Sequence, residues 1–191
     1  MVRPLEFDRA AARDQALALF WDKGYQAGTL AELLDVMGIG RSSFYAAFGD
    51  KRGLFIECLD EFAERAHAVL QRARREHPPL QALRHFFENV GRQTPRSRGH
   101  LGCMLINTVL EMAGVDEDLV GRANTHLLDL EASFAACLRD AGCAAPRAAE
   151  LAAMLSLVNE GVRVSNRRRM SAAQQLAPIR TTFDLIAREL S

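Results

Sequence analysis

Between Gly40 and Gly49 stands the run RSSFYAAF, Arg41 to Phe48, whose only large apolar residues besides a tyrosine are Phe44 and Phe48 at i, i+4. That spacing predicts a helix with one apolar stripe. Isolated helices shorter than about 12–15 residues are marginal in water, so one this short must be held by its neighbours. The two phenylalanines are its anchors, and Arg41, Ser42, Ser43 and Tyr45 are left facing out.

The neighbours are legible on both sides. Thr29-Leu-Ala-Glu32 is a capping box, in which a Thr hydroxyl and a Glu carboxylate satisfy free N–H groups at a helix start. Leu30, Leu33, Leu34 and Met37 give that helix one apolar face, Gly38 ends it and Ile39 plugs the turn. Upstream, Ala12, Ala16, Leu19 and Phe20 mark a helix over Asp8 to Lys23, with Gly24 as its stop. Downstream, Asp50 caps a longer helix carrying Leu54, Phe55, Cys58, Leu59 and Phe62, which runs to about Arg75 before His77-Pro78-Pro79.

Further helices are expected near 80–93, 101–113, 117–141, 146–168 and 172–190, separated by Pro95, Gly99, Gly114, Gly142, Pro146 and Met170-Ser171. Pro178 should kink the last or split off its first turn. No sustained period-2 alternation is present, so the fold class is all-α, with about nine helices.

Charge gives no global argument for a nucleic-acid partner: Lys plus Arg is 24 and Asp plus Glu is 24. Any DNA contact must come from a local patch. No apolar run approaches the ~20 residues that cross a bilayer, and the acids of MVRPLEFDRAAARD do not suit a signal peptide, so no membrane partner and a cytoplasmic location are expected. Cys58, Cys103, Cys137 and Cys143 stand too far apart for a CxxC pattern, which argues against a disulfide frame or a zinc site.

Two helices, a Gly-containing turn and a short polar second helix make a helix-turn-helix. The whole string TLAELLDVMGIGRSSFYAAFGDKRGLF resembles the N-terminal domain of the TetR family of bacterial repressors, and the resemblance is strongest over residues 8–60. It implies a helix-turn-helix DNA-binding domain over 1–50. Over 51–191 it implies a helical ligand-binding and dimerisation domain, with a connecting helix at 50–75. Arg41, Ser42 and Ser43 then face base edges, Tyr45 meets a phosphate, and Thr29 and Lys51 clamp the backbone at helix N-termini. Two departures stand out: Gly40 replaces the usual Ser or Thr cap of the recognition helix, and Ala47 stands where many members have His. The partners implied are an operator of double-stranded DNA, a small-molecule inducer and a second copy of the chain; no cofactor is implied.

In GHLGCMLINTVLEMAG the polar residues Cys103, Asn107 and Glu111 fall at i, i+4, i+8 and would share one helix face, as ligand-pocket lining or as polar groups bonded to neighbouring helices. This segment and EGVRV, Glu160 to Val164, resemble a TetR branch with a Gly-Cys helix start, some of whose members sense electrophiles through a cysteine. Cys103 is the implied sensor, and His100, three residues earlier, would lower its pKa only if the helix already runs there. Small residues at Ala148, Ala149, Ala152, Ala153 and Ser156, with the stripe Leu176, Ile179, Phe183, Ile186 and Leu190, are expected to form a four-helix dimer interface. Part of each face could instead close the subunit's own core. Arg167-Arg168-Arg169 reads as a solvated helix end.

Two rival classes remain at this level. A helical bundle can house a di-iron or redox enzyme, but that needs two Glu-x-x-His pairs, and here only Glu64 to His67 has the spacing. Neither a Gly-rich phosphate loop nor a Gly-x-Ser-x-Gly elbow is present, so no catalytic residue and no metal ligand is assigned. A ligand-binding protein of the same fold without DNA binding is the other rival.

Overall fold

Several helix starts in this chain are written in polar side chains. The Asp8 carboxylate accepts from the amides of Ala10 and Ala11, Asp50 from Gly53, Asp116 from Leu119, and Ser171 with Gln174 completes a second capping box. The computed structural model describes residues 7–91, 101–168 and 170–190. Among these the elements are α1 (Arg9–Ala27), α2 (Leu30–Met37), α3 (Arg41–Phe48), α4 (Lys51–Glu76), α5 (Pro79–Gly91), α6 (Met104–Met112), α7 (Glu117–Asp140), α8 (Ala145–Arg167) and α9 (Ala172–Glu189). No strand occurs among the described residues. Pro95, Gly99 and His100, and the side chains of Arg167 and Arg169, lie outside them; Arg168 is exposed.

Two apolar cores result, and they do not divide the chain by sequence order. The first joins Ala16, Phe20, Leu33, Phe44, Phe48, Leu54, Phe55 and Leu59 of α1–α4 to Met104, Leu105 and Met112 of α6 and Leu119 of α7. The second joins Leu70 at the far end of α4 to Phe86 and Phe87 of α5, Phe134 of α7, Leu155 of α8, and Ile179, Phe183 and Ile186 of α9. α4 and α7 are long enough to enter both, and so tie the two cores together.

Three expectations are corrected. Ala152, Ile179, Phe183 and Ile186 are 1%, 0%, 2% and 1% exposed, so they close the second core of one subunit and have no area left to offer a partner. Ser156 is half-buried and lines a groove of about 260 Å³ with Asn124, Leu127, Leu128, Glu131 and Glu160. Helix α6 begins at Met104 instead of 101, because Cys103 has φ −114° and ψ 125° and stands outside the helix. Finally, Pro178 does not split off the first turn of α9, which runs from the Ser171 cap as one helix.

Candidate nucleic-acid interface

The turn before α3 is tight because glycine permits it. Gly38 has φ 64°; its amide donates to the Asp35 carbonyl at 3.1 Å and that of Ile39 to the Leu34 carbonyl at 3.2 Å. This paired pattern closes a helix with a left-handed residue. Ile39 packs against the first core, so α3 starts in a fixed direction.

Within α3, Phe44 and Phe48 are buried, with rings 5.9 Å apart, while Arg41, Ser42 and Tyr45 are exposed. Ser43 is half-buried and so stands at the edge of this surface. No carboxylate lies within ion-pair distance of Arg41 among the described residues, which leaves its planar fork of donors for a ligand. Gly40 supplies no side-chain cap, as its sequence implies. Ala47 is half-buried and packs against the core.

The rear of α3 is held by residues the sequence reading did not select. Arg9 Nη2 donates to the Ala47 carbonyl at 3.1 Å and to Glu57 Oε1 at 2.7 Å, and its guanidinium lies 4.6 Å from the Phe48 ring centroid. A cation at a helix C-terminus meets both a free carbonyl and the negative end of the dipole. Gly53 allows the α3 carbonyl end to meet α4, since a Cβ there would stand 2.7 Å from the Phe48 carbonyl oxygen. A glycine in the first turn of a helix, otherwise a poor choice, was the available signal.

At the edges stand Thr29 and Lys51. The Thr29 hydroxyl donates to Glu32 Oε2 at 2.8 Å and accepts from the Glu32 amide at 3.3 Å, so its first duty is the α2 capping box. Lys23 pairs with the same carboxylate, and together with the Thr29 donors holds Glu32 well down, at about 2. Lys51 Nζ sits 4.6 Å over the Tyr25 ring centroid, and burial lowers its pKa against the pull of Glu111.

Of the three polar residues expected to share a face, Cys103 is parted from the other two. Cys103 is buried in the first core at 4% exposure, Asn107 Nδ2 turns back to the Leu101 carbonyl at 3.0 Å, and Glu111 accepts from the backbone amides of Tyr25 and Gln26. Asn107 and Glu111 do line one cleft, with Trp21, Lys23 and Gly24 of α1, but Cys103 does not. All four cysteines are free and buried. Among the described residues no three His, Cys, Asp or Glu side chains are grouped to hold a metal, and no helix is long and apolar enough to cross a membrane.

A short helix that shows an exposed arginine, a serine and a tyrosine to solvent, set on the core by two phenylalanines behind a tight glycine turn, defines a helix-turn-helix DNA-binding protein. Its sequence carries the comparison further. Residues 13–58 match the model for bacterial regulatory proteins of the tetR family, and residues 79–181 match the C-terminal domain of LmrA/YxaF-like transcriptional regulators. The chain belongs to the TetR family of transcriptional regulators.

It is 29% identical over 190 residues to the HTH-type transcriptional repressor ComR of Escherichia coli, covering 96% of this chain and 90% of ComR. It is 30% identical over 138 residues, 70% of each chain, to the HTH-type transcriptional regulator YezE of Bacillus subtilis. A cysteine-substituted form of the TetR family regulator CifR, solved with double-strand operator DNA, superposes with a TM-score of 0.75 at 25% identity over 95% of this chain and 98% of CifR. The TetR-family regulator SCO4454 of Streptomyces coelicolor shares the fold, with a TM-score of 0.84 at 17% identity over 96% and 95% of the two chains.

Proposed function

We propose that the protein is a dimeric cytoplasmic repressor whose two α3 helices enter successive major grooves of a pseudo-palindromic operator and leave when a small molecule occupies the C-terminal helices. Residues 1–50 are the reading head; residues 51–191, joined through α4, sense the inducer and dimerise. The observation that carries this reading is the division of α3: Phe44 and Phe48 are spent on the core, and Arg41, Ser42 and Tyr45 are not. Arg41 reads base edges, an Arg–guanine pair being worth about 1–3 kcal/mol of discrimination. Ser42 and Ser43 flank it, and Tyr45, Thr29 and Lys51 meet phosphates. None of these roles requires the protein to catalyse a reaction.

The dimer forms on the outer faces of α8 and α9. Met154, Leu157 and Val164 recur along one side of α8 at 41%, 69% and 49% exposure, and Leu185 of α9 is 59% exposed. Large apolar side chains grouped on one face favour a self-complementary twofold contact. Cys103 is read as a packed core residue, since a reactive thiol needs access that 4% exposure does not give. Equal operator release by wild type and Cys103→Ser after mild electrophile treatment is the expected result.

Selection of bound duplexes from a random pool, followed by footprinting, tests the operator reading. Two protected half-sites about one helical turn apart, with base preference relaxed in Arg41→Ala, support it. A wild-type protein that enriches no sequence would overturn it.

A further inference from the structure

Two backbone amides of the reading head are satisfied from the opposite half of the chain. Tyr25 N donates to Glu111 Oε2 at 2.9 Å and Gln26 N to Glu111 Oε1 at 2.7 Å, across 86 and 85 residues of sequence. Both amides are free for this because α1 breaks at Gly24, with φ 85° and ψ 178°. N–H groups that follow a helix break have no carbonyl one turn behind them. Gly24 lies in a backbone region that glycine alone enters without strain. A Cβ there would also stand 2.5 Å from Glu111 Oε2 and 2.8 Å from its Cδ, so the same residue opens the helix and clears a seat for the carboxylate.

What this seat orients is the edge of the DNA-facing surface. The Tyr25 ring lies 4.9 Å from that of Phe55 and beneath the Lys51 ammonium, and the α2 cap at Thr29 follows four residues later. Glu111 stands on α6, which is anchored by Met104, Leu105 and Met112 and packs on α7. The carboxylate is half-buried and lines a solvent-open cleft of about 310 Å³ with Trp21, Asp22, Lys23, Asn107 and Leu110. It can therefore exchange its two amides for water without opening either core.

We propose that Glu111 is a positioning residue for operator reading: seated on the Tyr25 and Gln26 amides beside Gly24, it fixes the reading head against α6, and a shift of α6 that unseats it lowers operator affinity. This rests on the repressor reading above. The seat is a two-pronged, charge-assisted contact, so it sets an angle as well as a distance. Heads released from that angle bind only for the fraction of time they revisit it, and apparent affinity falls by that fraction. Glu111 touches no DNA in this scheme, so the number of phosphate contacts is unchanged.

Full-length Glu111→Ala and Glu111→Gln, assayed well below their unfolding midpoints on the duplex selected by wild type, test it together with amide exchange at Tyr25 and Gln26. In Glu111→Ala the two amides should exchange about tenfold faster or more, and operator affinity should fall about fivefold or more at an unchanged salt slope. Glu111→Gln, which keeps the side-chain volume and one acceptor oxygen, should fall between, and carries the same readouts if the alanine variant does not fold. Unchanged exchange at both amides, or affinity within about twofold of wild type despite faster exchange, would overturn the proposal. Wild-type retention of the selected duplex tests the repressor reading separately.

Discussion

Arg9, the first residue of α1, reaches the carbonyl of Ala47 at 3.1 Å, near the end of the reading helix, and binds Glu57 of α4 at 2.7 Å with the same nitrogen. One cation thus ties three helices at the point where α3 has no cap of its own beyond the Gly49 turn. Arg9→Leu keeps much of the contact over Phe48 but removes the charge and the hydrogen bonds to Ala47 and Glu57. Its side chain is 37% exposed, so the loss should be about 1–2 kcal/mol, toward the lower end for a charged hydrogen bond. Urea unfolding would read this as a lower midpoint at constant slope, and operator affinity should fall with it.

Arg41 and Lys51 should fail in different ways. Arg41→Ala is expected to cost about 1–3 kcal/mol on the preferred sequence and to relax the preference at one base position of each half-site. Lys51→Met should weaken all sequences alike and reduce the salt slope of binding by about 1 per subunit. Binding titrations over a salt series, on the preferred duplex and a single-base variant, separate the two.

Gly53→Ala sets helix propensity against space. Alanine gains about 1 kcal/mol over glycine within a helix. The added Cβ would meet the Phe48 carbonyl oxygen at 2.7 Å, a backbone atom at the end of α3 that cannot swing aside. Overpacking of this kind costs about 1–3 kcal/mol, so the net change should be destabilising, with operator affinity reduced as α3 is pushed away from α4. A raised melting temperature in Gly53→Ala would contradict this account.

The reading head was legible because its signals are local. Arg41 to Phe48 as a helix, the Thr29 capping box and a break at Gly24, though α1 resumes beyond it to Ala27, each need only four to eight neighbouring residues to be read. Contacts between elements were not legible in the same way. Periodicity reports that Ile179, Phe183 and Ile186 share an apolar stripe, but the stripe looks the same whether it faces α5 of its own subunit or a second copy. The alignment of Cys103, Asn107 and Glu111 assumed a helix reaching 103; with α6 starting at Met104, Cys103 parts from Asn107 and Glu111, which still line one cleft. Arg9 to Ala47 and Glu111 to Tyr25 span 38 and 86 residues and follow from no spacing rule.

Glu32 gives the fold of α2 a pH dependence of known sign. Its carboxyl is held down to about 2 by Lys23 and the Thr29 donors, below an ordinary value of 4.5. A carboxylate depressed in the folded state contributes stability that is fully present above the ordinary value and is lost as pH falls toward the folded one. The difference in melting temperature between wild type and Glu32→Gln should therefore be constant above about pH 4.5 and shrink as pH falls toward about 2. A difference that grows on acidification would reverse the sign and exclude this cause.

In the dimer proposed above, Phe183 and Leu157 should divide the stability of the subunit from its assembly. Phe183 is 2% exposed, with its ring 5.3 Å from that of Phe87, so Phe183→Ala should cost about 3–5 kcal/mol and lower the unfolding midpoint of the whole chain. Leu157 is 69% exposed and meets little within its own subunit. Leu157→Glu should leave helical content unchanged but place like charges across a twofold axis and shift the dimer toward monomer. Sedimentation velocity over a concentration series, with circular dichroism on the same samples, distinguishes the outcomes. A Leu157→Glu variant that sediments as wild type would move the dimer contact off this face of α8, and a Phe183→Ala variant that folds normally yet dissociates would return it to the buried stripe of α9.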